Sequence, residues 1–543
     1  MFHFAFFLLL FPFSLLPFAF FLLPFPLSLL PFAIFVFSSY SSPQIDVLDS
    51  LTRVMTKIRS FKRQNDVPGS ERPGCGQGRG GEKLKKSEFA FGAFLFLAPL
   101  LILPLIFPGI HSRRIVEAHN IDECQMVKVM DRMAEGEWLD PDHFYNYGPL
   151  FYYAARFLER AAGMRDTFTS HIAALRVTSY LSFLFLLAVL CFFFRKQPVS
   201  TRTLLATSLL LLSPVQRYAV QAHPDLLQLA LLFLAFFSAP SHPSLSAALL
   251  ALAASTKLAG FVILPALFLF PPRAAKICER IRWFLVFVAV LLVSQPRLIV
   301  APLQTIETIR RHAEYTFSPL QGIGSPWLIW PLLLFHYDGL GAVIPFLGFF
   351  GMATATFTES SRSEEIPSCG NRNRLIARFG LAWCGIFGGF LLLVAKGDYG
   401  VRHLLPLLPP LFWGAAQVLQ RTGKKIIPLL LLFLFAFQGP AALENLRDIA
   451  ASGTIPKEDV EAAKDIPDNA VVAAQYLIYV PERILHVDRF NIHLPAGNYD
   501  FVLRKSGKIP VLRDLLLEKG YRPVKTVGRV EVWSREPFPR SRN

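Results

Sequence analysis

Two adjacent carboxylates, Asp122 and Glu123, are the residues of this chain best placed for acid–base chemistry. Four apolar residues follow them at helical spacing: Met126, Val129, Met130 and Met133. This spacing predicts an amphipathic helix that faces a cavity at membrane level. A carboxylate at the start of such a helix can act as a general base and remove a proton from an attacking hydroxyl. The alternative is that the pair only solvates the membrane surface.

The loops on the same predicted face are rich in histidine, which raises the question of a metal ion. Six histidines fall in these loops: His119, His143, His223, His312, His336 and His403. No pair of them, alone or with Asp122, Asp140 or Asp142, has the spacing on one helix that zinc hydrolases use. We therefore expect no metal site and no required cofactor, and a divalent cation stays open.

Composition indicates which elements must position these side chains. The chain has 543 residues, of which 53% are apolar and 17% charged, and this predicts a polytopic membrane protein and excludes a soluble enzyme. The formal charge of +16 does not indicate a nucleic-acid partner, because the basic residues gather in short loops between apolar runs. These loops alternate with acidic ones, which is the positive-inside pattern of membrane proteins.

The apolar runs predict an all-α membrane domain of about 11 spanning helices, some of them short. The predicted spans are Phe89–Ile110, Ile172–Phe194, Thr203–Pro214, Leu226–Ala239, Leu245–Thr256, Leu258–Pro271, Trp283–Val300, Gly339–Thr358, Leu375–Ala395, Leu404–Leu419 and Ile426–Ala441. An inside start then leaves the C-terminus outside. Lys257 is expected at an outer hinge, and Pro149–Ala161 is expected to lie along the interface.

Four segments differ in composition. Residues 1–40 are almost wholly Phe, Leu, Pro, Ala and Ser, and we interpret them either as a signal-like segment or as translated upstream sequence before a true start near Met55. Residues 41–87 are typical of a cytoplasmic linker, and 88–441 form the predicted membrane domain. Of the six cysteines only Cys124 is predicted outside, so no disulfide is expected there.

Residues 442–543 are predicted to form a small α/β domain on the outer surface. Pro456 followed by acidic residues indicates the start of a helix. The other predicted elements are the strands Ala470–Ala474, Ile484–Val487, Phe501–Leu503 and Val530–Trp533 and the helix Val511–Lys519. About a hundred residues are enough for a separate core.

The order of these features resembles the GT-C membrane glycosyltransferases. An outer Asp-Glu pair is followed by Tyr147-Gly-Pro-Leu-Phe-Tyr152, an outer Asp225, Thr256-Lys257 and Arg402-His-Leu-Leu-Pro406. The chain is most similar to the branch of protein O-mannosyltransferases and lipid A aminoarabinose transferases. The likeness covers about 89–419 and rests on arrangement more than on a long motif. It implies a sugar donor on a polyprenyl phosphate, and some relatives use a divalent ion while others do not.

The resemblance implies roles for single residues. Asp122, with Glu123 beside it, would be the catalytic base, and Asp225 would be the second acid, unless it only caps the next helix. Three cations would hold the lipid phosphate: Lys257, Arg402 and Arg217. For Arg402 the alternative is a snorkelling anchor, and for Arg217 an interfacial anchor.

Three further residues are expected to line the substrate site: Tyr147, His119 and His223. Tyr147 belongs to an aromatic stretch that can equally be an interface belt. Soluble outer domains also occur in bacterial members of the group, and nothing in the tail indicates catalysis.

We therefore expect an inverting glycosyltransferase that moves a hexosyl or pentosyl group from a polyprenyl-phosphate donor to an acceptor hydroxyl on a lipid, glycan or protein. The expected location is a bacterial inner membrane. A secondary transporter is the first alternative, although its acids would lie near the bilayer midplane. A non-catalytic scaffold with a sensing outer domain is the second.

Overall fold

The computed structural model describes most of the chain after residue 77. The described residues are 78–139, 147–257, 259–273, 275–307, 310, 326–336, 339–357, 369–393, 401–422, 426–475, 477–490, 494, 497–506 and 510–535. The N-terminal segment 1–40, most of the linker 41–87, and Asp140, Asp142, His143 and His312 lie outside them. Ala98–Asn543 belong to one compact unit, which holds the site described below.

In the described chain before residue 452, all of the regular secondary structure is helical. The helices before the first break are Gly78–Ile102, Arg113–His119 and Ile121–Ala134, with a 3-10 turn at Leu103–Ile106. The next helices are Pro149–Ala161, Phe168–Phe194, Val199–Leu210, Ser213–Val220, Asp225–Ser238, Pro243–Ala254, Ala259–Leu269, Ile277–Ser294 and Arg297–Val300. The last are Pro326–Phe335, Val343–Phe357, Cys369–Leu393, Leu408–Thr422 and Ile426–Ala451, with a 3-10 helix at Val401–Leu407.

Within the described residues, four helical segments are long and apolar enough to cross a membrane, and they support an integral membrane protein. They are Ser87–Ile106, Phe168–Phe194, Arg372–Leu393 and Ile426–Ala451. A fifth crossing is formed if the bent pair Ser213–Val220 and Asp225–Ser238 counts as one broken span. Several other predicted spans are helices too short to qualify, because each residue adds only about 1.5 Å to a helix. The predicted total of 11 stays a prediction.

Two local predictions are confirmed. The hinge at Lys257 lies between the helices Pro243–Ala254 and Ala259–Leu269. The helix Pro149–Ala161 begins and ends at the predicted residues, with proline in the first turn, where its missing N–H costs no hydrogen bond. Its Phe151 and Tyr152 are buried, so this helix presents much of its aromatic face to the protein.

The helix Ile121–Ala134 corrects one expectation about the methionine stripe. The four apolar residues that follow Asp122 at helical spacing are all fully buried: Met126, Val129, Met130 and Met133. They belong to a hydrophobic core with Phe151, Tyr152 and Ile172. The stripe therefore anchors the helix to its neighbours and does not face an open cavity, because burial of these side chains is more favourable than exposure.

The tail contains a five-stranded sheet with helices on both faces. The strands are β1 (Val471–Gln475), β2 (His486–Phe490), β3 (Phe501–Lys505), β4 (Arg522–Val527) and β5 (Val530–Ser534), in the order β2-β1-β3-β5-β4. β1 pairs in parallel with β2 and β3, while β5 pairs antiparallel with β3 and β4. The helix Lys457–Ala463 covers one face of the sheet and Pro510–Glu518 the other.

The sequence did not predict β4. Pro523 and two basic residues interrupt its pattern, which is tolerated because β4 is an edge strand. Gly528, at φ +54°, closes the turn to β5. The last apolar helix, Ile426–Ala451, continues past the predicted domain boundary at residue 441.

The tail contacts the helix Arg113–His119, which directly precedes the helix of Asp122. Arg114 donates to the backbone carbonyls of Pro481 and Ile484, both at 2.6 Å. The Glu117 carboxylate accepts from Arg489 at 2.9 Å. The tail therefore supports the segment that carries Asp122.

Candidate active site

Asp122 lies in the first turn of Ile121–Ala134, where its carboxylate contacts two side chains from distant parts of the chain. The side chain of Asn120 caps the helix and accepts a hydrogen bond from the backbone N–H of Asp122 at 3.1 Å. Oδ2 of Asp122 accepts from the hydroxyl of Tyr147 at 3.1 Å and from Arg402 at 3.2 Å. With its side chain 30% exposed, Asp122 is fixed in position and still open to a substrate.

Tyr147 connects Asp122 to His223. Nδ1 of His223 lies 3.4 Å from the backbone nitrogen of Asp225 and 3.2 Å from its Oδ2. Nε2 lies 3.1 Å from the hydroxyl of Tyr147, and the hydroxyl gives its own proton to Asp122. Burial raises the pKa of Tyr147 well above its usual range, so the hydroxyl stays a donor. The three side chains form one chain of hydrogen bonds.

Asp225 and Lys257 form an ion pair beside this chain. Nζ of Lys257 donates to Oδ1 of Asp225 at 2.8 Å. Oδ2 of Asp225 is buried, has no hydrogen-bond donor within the described part of the chain, and lies 3.2 Å from Nδ1 of His223. The helix N-cap position belongs to Pro224, so the interpretation of Asp225 as a simple cap is wrong. A proton arriving at Nδ1 would give Oδ2 its missing partner.

The backbone around Gly148 fixes the distance between Tyr147 and Lys257. The N–H of Gly148 donates to the carbonyl of Thr256 at 2.9 Å. A Cβ at Gly148 would lie 2.0 Å from the carbonyl oxygen of Ser255, so no larger residue fits without moving the backbone. Gln228 holds the other side of this hinge by donating to the carbonyl of Lys257 at 2.7 Å. Close packing at this point therefore requires glycine at position 148.

Aromatic rings enclose His223. The ring of Tyr218 stacks on it with centroids 4.1 Å apart, and Tyr147 meets it edge-on at 4.9 Å. Nζ of Lys257 lies 6.0 Å from the centre of the Tyr147 ring, at the outer limit of a cation–π contact. His223 is only 1% exposed, whereas the side chains of Lys257 and Arg402 are 18% and 23% exposed. Lys257 and Arg402 therefore form the solvent-accessible side of the cluster.

Residues 125–273 match the family model described as "Alpha-(1->6)-mannopyranosyltransferase, N-terminal domain". The resemblance to GT-C membrane glycosyltransferases is confirmed. The match contains Tyr147, His223, Asp225 and Lys257, and it begins just after Asp122. It supports a glycosyltransferase. No curated protein matches the chain.

Three solved GT-C structures are similar to the chain at low sequence identity. ArnT from Cupriavidus metallidurans, solved bound to undecaprenyl phosphate, is 14% identical over 82% of this chain and 98% of its own, with a TM-score of 0.48. The Archaeoglobus fulgidus oligosaccharyltransferase is 12% identical over 76% and 69%, with a TM-score of 0.41. The arabinofuranosyltransferase AftD from Mycobacteria is 14% identical over 81% and 40%, with a TM-score of 0.38.

Glu123 does not join the cluster, although it follows Asp122 directly. It is fully buried, and both of its oxygens accept from Arg176, at 2.8 and 2.7 Å. The backbone N–H of Ala222 donates to it as well, at 2.7 Å. Arg176 also donates to two backbone carbonyls. The expected catalytic role of Glu123 is therefore replaced by a structural one, because successive residues of a helix face different directions.

Two other predicted site residues lie away from the cluster. Arg217 is exposed, and its guanidinium donates to Asn445 at 3.2 Å. Nε2 of His119 lies 3.0 Å from the carbonyl of Thr454. Arg217 thus contacts the end of the last apolar helix, and His119 contacts the chain just beyond it, so both residues have a supporting position.

Sequence reasoning missed three residues that shape the cluster: Asn120, Tyr218 and Gln228. Asn120 precedes an acidic first turn, which is a recognisable cap signal. Tyr218 follows Arg217, and the sequence predicted a role only for the arginine. Gln228 is a polar residue inside an apolar helix, and its burial at 3% exposure could be suspected from that alone.

One group in the described residues has the geometry to hold a metal ion, namely Glu159, Asp166 and His171. Arg156 is fully buried among them and donates to both Glu159 and Asp166. The guanidinium already supplies the positive charge that a metal ion would bring. The donor set therefore fits a buried ion-pair network better than a metal site.

Proposed function

We propose that this protein is an inverting glycosyltransferase that moves a sugar from a polyprenyl-phosphate donor to an acceptor hydroxyl. The observation that carries the proposal is that Tyr147 and Arg402 both donate to the partly exposed carboxylate of Asp122. The Asp225–Lys257 ion pair lies beside them. A base and two cations at one place are what transfer from a lipid phosphate requires.

In the proposed reaction, Asp122 takes the proton of the acceptor hydroxyl. The acceptor oxygen then attacks the anomeric carbon, and the bond from that carbon to the phosphate oxygen breaks. Polyprenyl phosphate leaves with the electron pair, and attack from the opposite side inverts the configuration. Arg402 and Lys257 stabilise the phosphate charge by direct contact.

Each cation is paired with one acid in this structure, so the donor phosphate must share or replace those partners. Binding of the phosphate to Arg402 weakens the Arg402–Asp122 pair and frees the Asp122 carboxylate to contact the acceptor hydroxyl. The hydrogen bond from Tyr147 keeps the carboxylate in place during this exchange.

The proposal includes a plasma-membrane location of bacterial type with the site on the outer face. The tail would then also lie outside, because it contacts the segment that carries Asp122. A lipid, glycan or protein can supply the acceptor hydroxyl. No metal ion or other cofactor is needed for the proposed steps.

The test compares native protein with Asp122→Asn in a transfer assay that uses labelled polyprenyl-phosphate sugars. Asparagine keeps the size of the side chain and can still accept hydrogen bonds, but it is not a base. We expect the transfer rate to fall by about 10²- to 10⁴-fold. Donor affinity should be kept or increased, because Arg402 loses its carboxylate partner.

Glu135→Gln is the matched control, because Glu135 is exposed at the C-cap of the same helix. It should leave the transfer rate unchanged. Equal rates for native protein and Asp122→Asn would exclude Asp122 as the base. Failure of folded native protein to consume any donor would count against the transferase itself.

A secondary transporter is the second candidate, and one observation favours it. The helices Ser213–Val220 and Asp225–Ser238 meet at an angle of 117°, with buried Asp225 at the break. Broken helices with an acid at the break also occur in ion-coupled transporters. Proteoliposomes that take up a sugar or ion without consuming a lipid-linked donor would support this candidate over the transferase.

A further inference from the structure

A polar cleft of about 420 Å³ lies between the tail and the helix that carries Asp122. Its lining includes Gln125 and Lys128 from that helix, Arg113 from the preceding helix, and Glu482, Asp488 and Arg489 from the tail. None of the steps proposed above uses this cleft.

Arg489 has a hydrogen-bonding group in this region that the protein leaves unused. Its side chain is only 9% exposed. Nε donates to Glu117 at 2.9 Å and Nη1 to the carbonyl of Ile478 at 2.7 Å. Nη2 is buried and has no acceptor within the described chain. A buried donor of this kind costs free energy until an acceptor reaches it.

The acids of the cleft are already engaged. Glu117 accepts from Arg113 at 3.3 Å as well as from Arg489, and Glu482 pairs with Arg114 at 3.3 Å. Asp488 accepts from the hydroxyl of Tyr499 at 2.9 Å.

Lys128 is exposed, and no ion pair is found for it among the described residues. Unused positive charge therefore remains at the rim of the cleft, in Lys128, and unused donor capacity in Arg489. Both properties fit an anionic ligand.

The cleft and the proposed base share the helix Ile121–Ala134. Gln125 and Lys128 follow Asp122 by three and six residues on one helix, so they lie about 4.5 and 9 Å further along its axis. Their side chains also point about 60° and 120° round the helix from Asp122, so a sugar or lipid anchored by an anionic group in the cleft must extend round the helix to bring its hydroxyl to Asp122.

We infer that this cleft binds a phosphate or carboxylate group carried by the acceptor, with Arg489 and Lys128 as its ligands. The assignment to an acceptor rests on the proposed transferase function, whereas the anion site itself does not. The ligand class is a hydroxyl-bearing molecule with a phosphate-sized anion.

The test measures binding by calorimetry in detergent with no donor present. The probes are glucose 6-phosphate, glucose and inorganic phosphate. We expect glucose 6-phosphate to bind about tenfold more tightly than glucose, because a charged hydrogen bond contributes about that factor. Lys128→Gln should weaken its binding severalfold. Arg489→Lys should weaken it about tenfold while keeping a cation for Glu117.

Two controls locate the site. Lys519→Gln removes an exposed charge from another part of the tail and should have no effect. Arg402→Gln should also leave glucose 6-phosphate binding unchanged, which separates the cleft from the donor site.

Equal binding of glucose 6-phosphate and glucose would overturn the inference, as would unchanged binding in both Lys128→Gln and Arg489→Lys. Lys128 is exposed, so its variant folds even if Arg489→Lys does not. Equal binding of inorganic phosphate and glucose 6-phosphate would overturn the assignment to an acceptor. Because no donor is used, loss of transfer activity alone leaves the anion site standing.

Discussion

Two clusters of acids, histidine and cations lie in the described chain, and they differ in how far their cations are buried. Around Glu159, the guanidinium of Arg156 is fully buried between two carboxylates, and His171 bonds Glu159 at 2.6 Å. Around Asp122, the cations Arg402 and Lys257 are partly exposed, and each pairs with one carboxylate.

The difference lies in what each cluster can still do. In the Glu159 cluster the guanidinium holds the pKa of Asp166 below its usual range and leaves Glu159 no access to solvent. In the Asp122 cluster the proposed base is held by two hydrogen bonds but is partly exposed, and so are the two cations proposed to bind phosphate. Residue types alone would rank the two clusters equally, and the exposure of their cations separates them.

The largest expected effect is a loss of stability in the cluster around Glu159. Arg156→Met removes the buried cation and leaves Glu159 without its charge partner, which should cost about 3–5 kcal/mol of unfolding free energy. Detergent unfolding followed by circular dichroism measures this loss. Protein that remains folded should bind the donor with native affinity, because no residue of this cluster contacts the proposed phosphate site.

Arg160→Met is the matched control, since Arg160 is exposed on the same helix. It should change the unfolding free energy by well under 1 kcal/mol. A variant Arg156→Met that is as stable as the control, or that is stable but fails to bind donor, would remove the distinction between the two clusters.

Two arginines test the Asp122 cluster, because the sequence predicted that both Arg402 and Arg217 hold the lipid phosphate. Arg402→Gln should lower donor affinity by about tenfold, because it removes a charged hydrogen bond to phosphate. Arg217→Gln should leave donor affinity unchanged, because its guanidinium faces Asn445. Binding of a labelled polyprenyl phosphate measures both.

The reverse result, with Arg217→Gln the weaker binder, would move the phosphate site towards the last apolar helix. Equal losses in both variants would indicate general attraction of the lipid to a basic surface. Raising the salt concentration separates these cases, since general attraction is screened more strongly than a partly buried contact.

Hydropathy and spacing predicted the elements that a membrane or a core requires. The helix Pro149–Ala161 and the hinge at Lys257 follow from proline, apolar spacing and a polar break. The edge strand β4 was missed, since its side chains are not alternately buried. The number of spans was not predictable from short apolar runs, because the same run suits a core helix or a crossing.

The site was predicted in part. Asp122, Asp225, Lys257, Arg402 and Tyr147 come together as the resemblance implied. The sequence could not separate Asp122 from Glu123, because helix rotation sends one to solvent and the other to Arg176. That partner lies in another helix, 53 residues further along the chain. Contacts of this range depend on packing that no local pattern contains.

The smallest expected effect concerns metal ions. Treatment with EDTA should leave the transfer rate of the native protein unchanged, because Arg402 and Lys257 supply the positive charge at the phosphate and Arg156 supplies it in the Glu159 cluster. A rate that falls with EDTA and returns with Mg²⁺ or Mn²⁺ would contradict this. If His171→Gln then abolished the recovery of the transfer rate by the metal ion, the metal site would be the Glu159 cluster, despite the positive charge of Arg156.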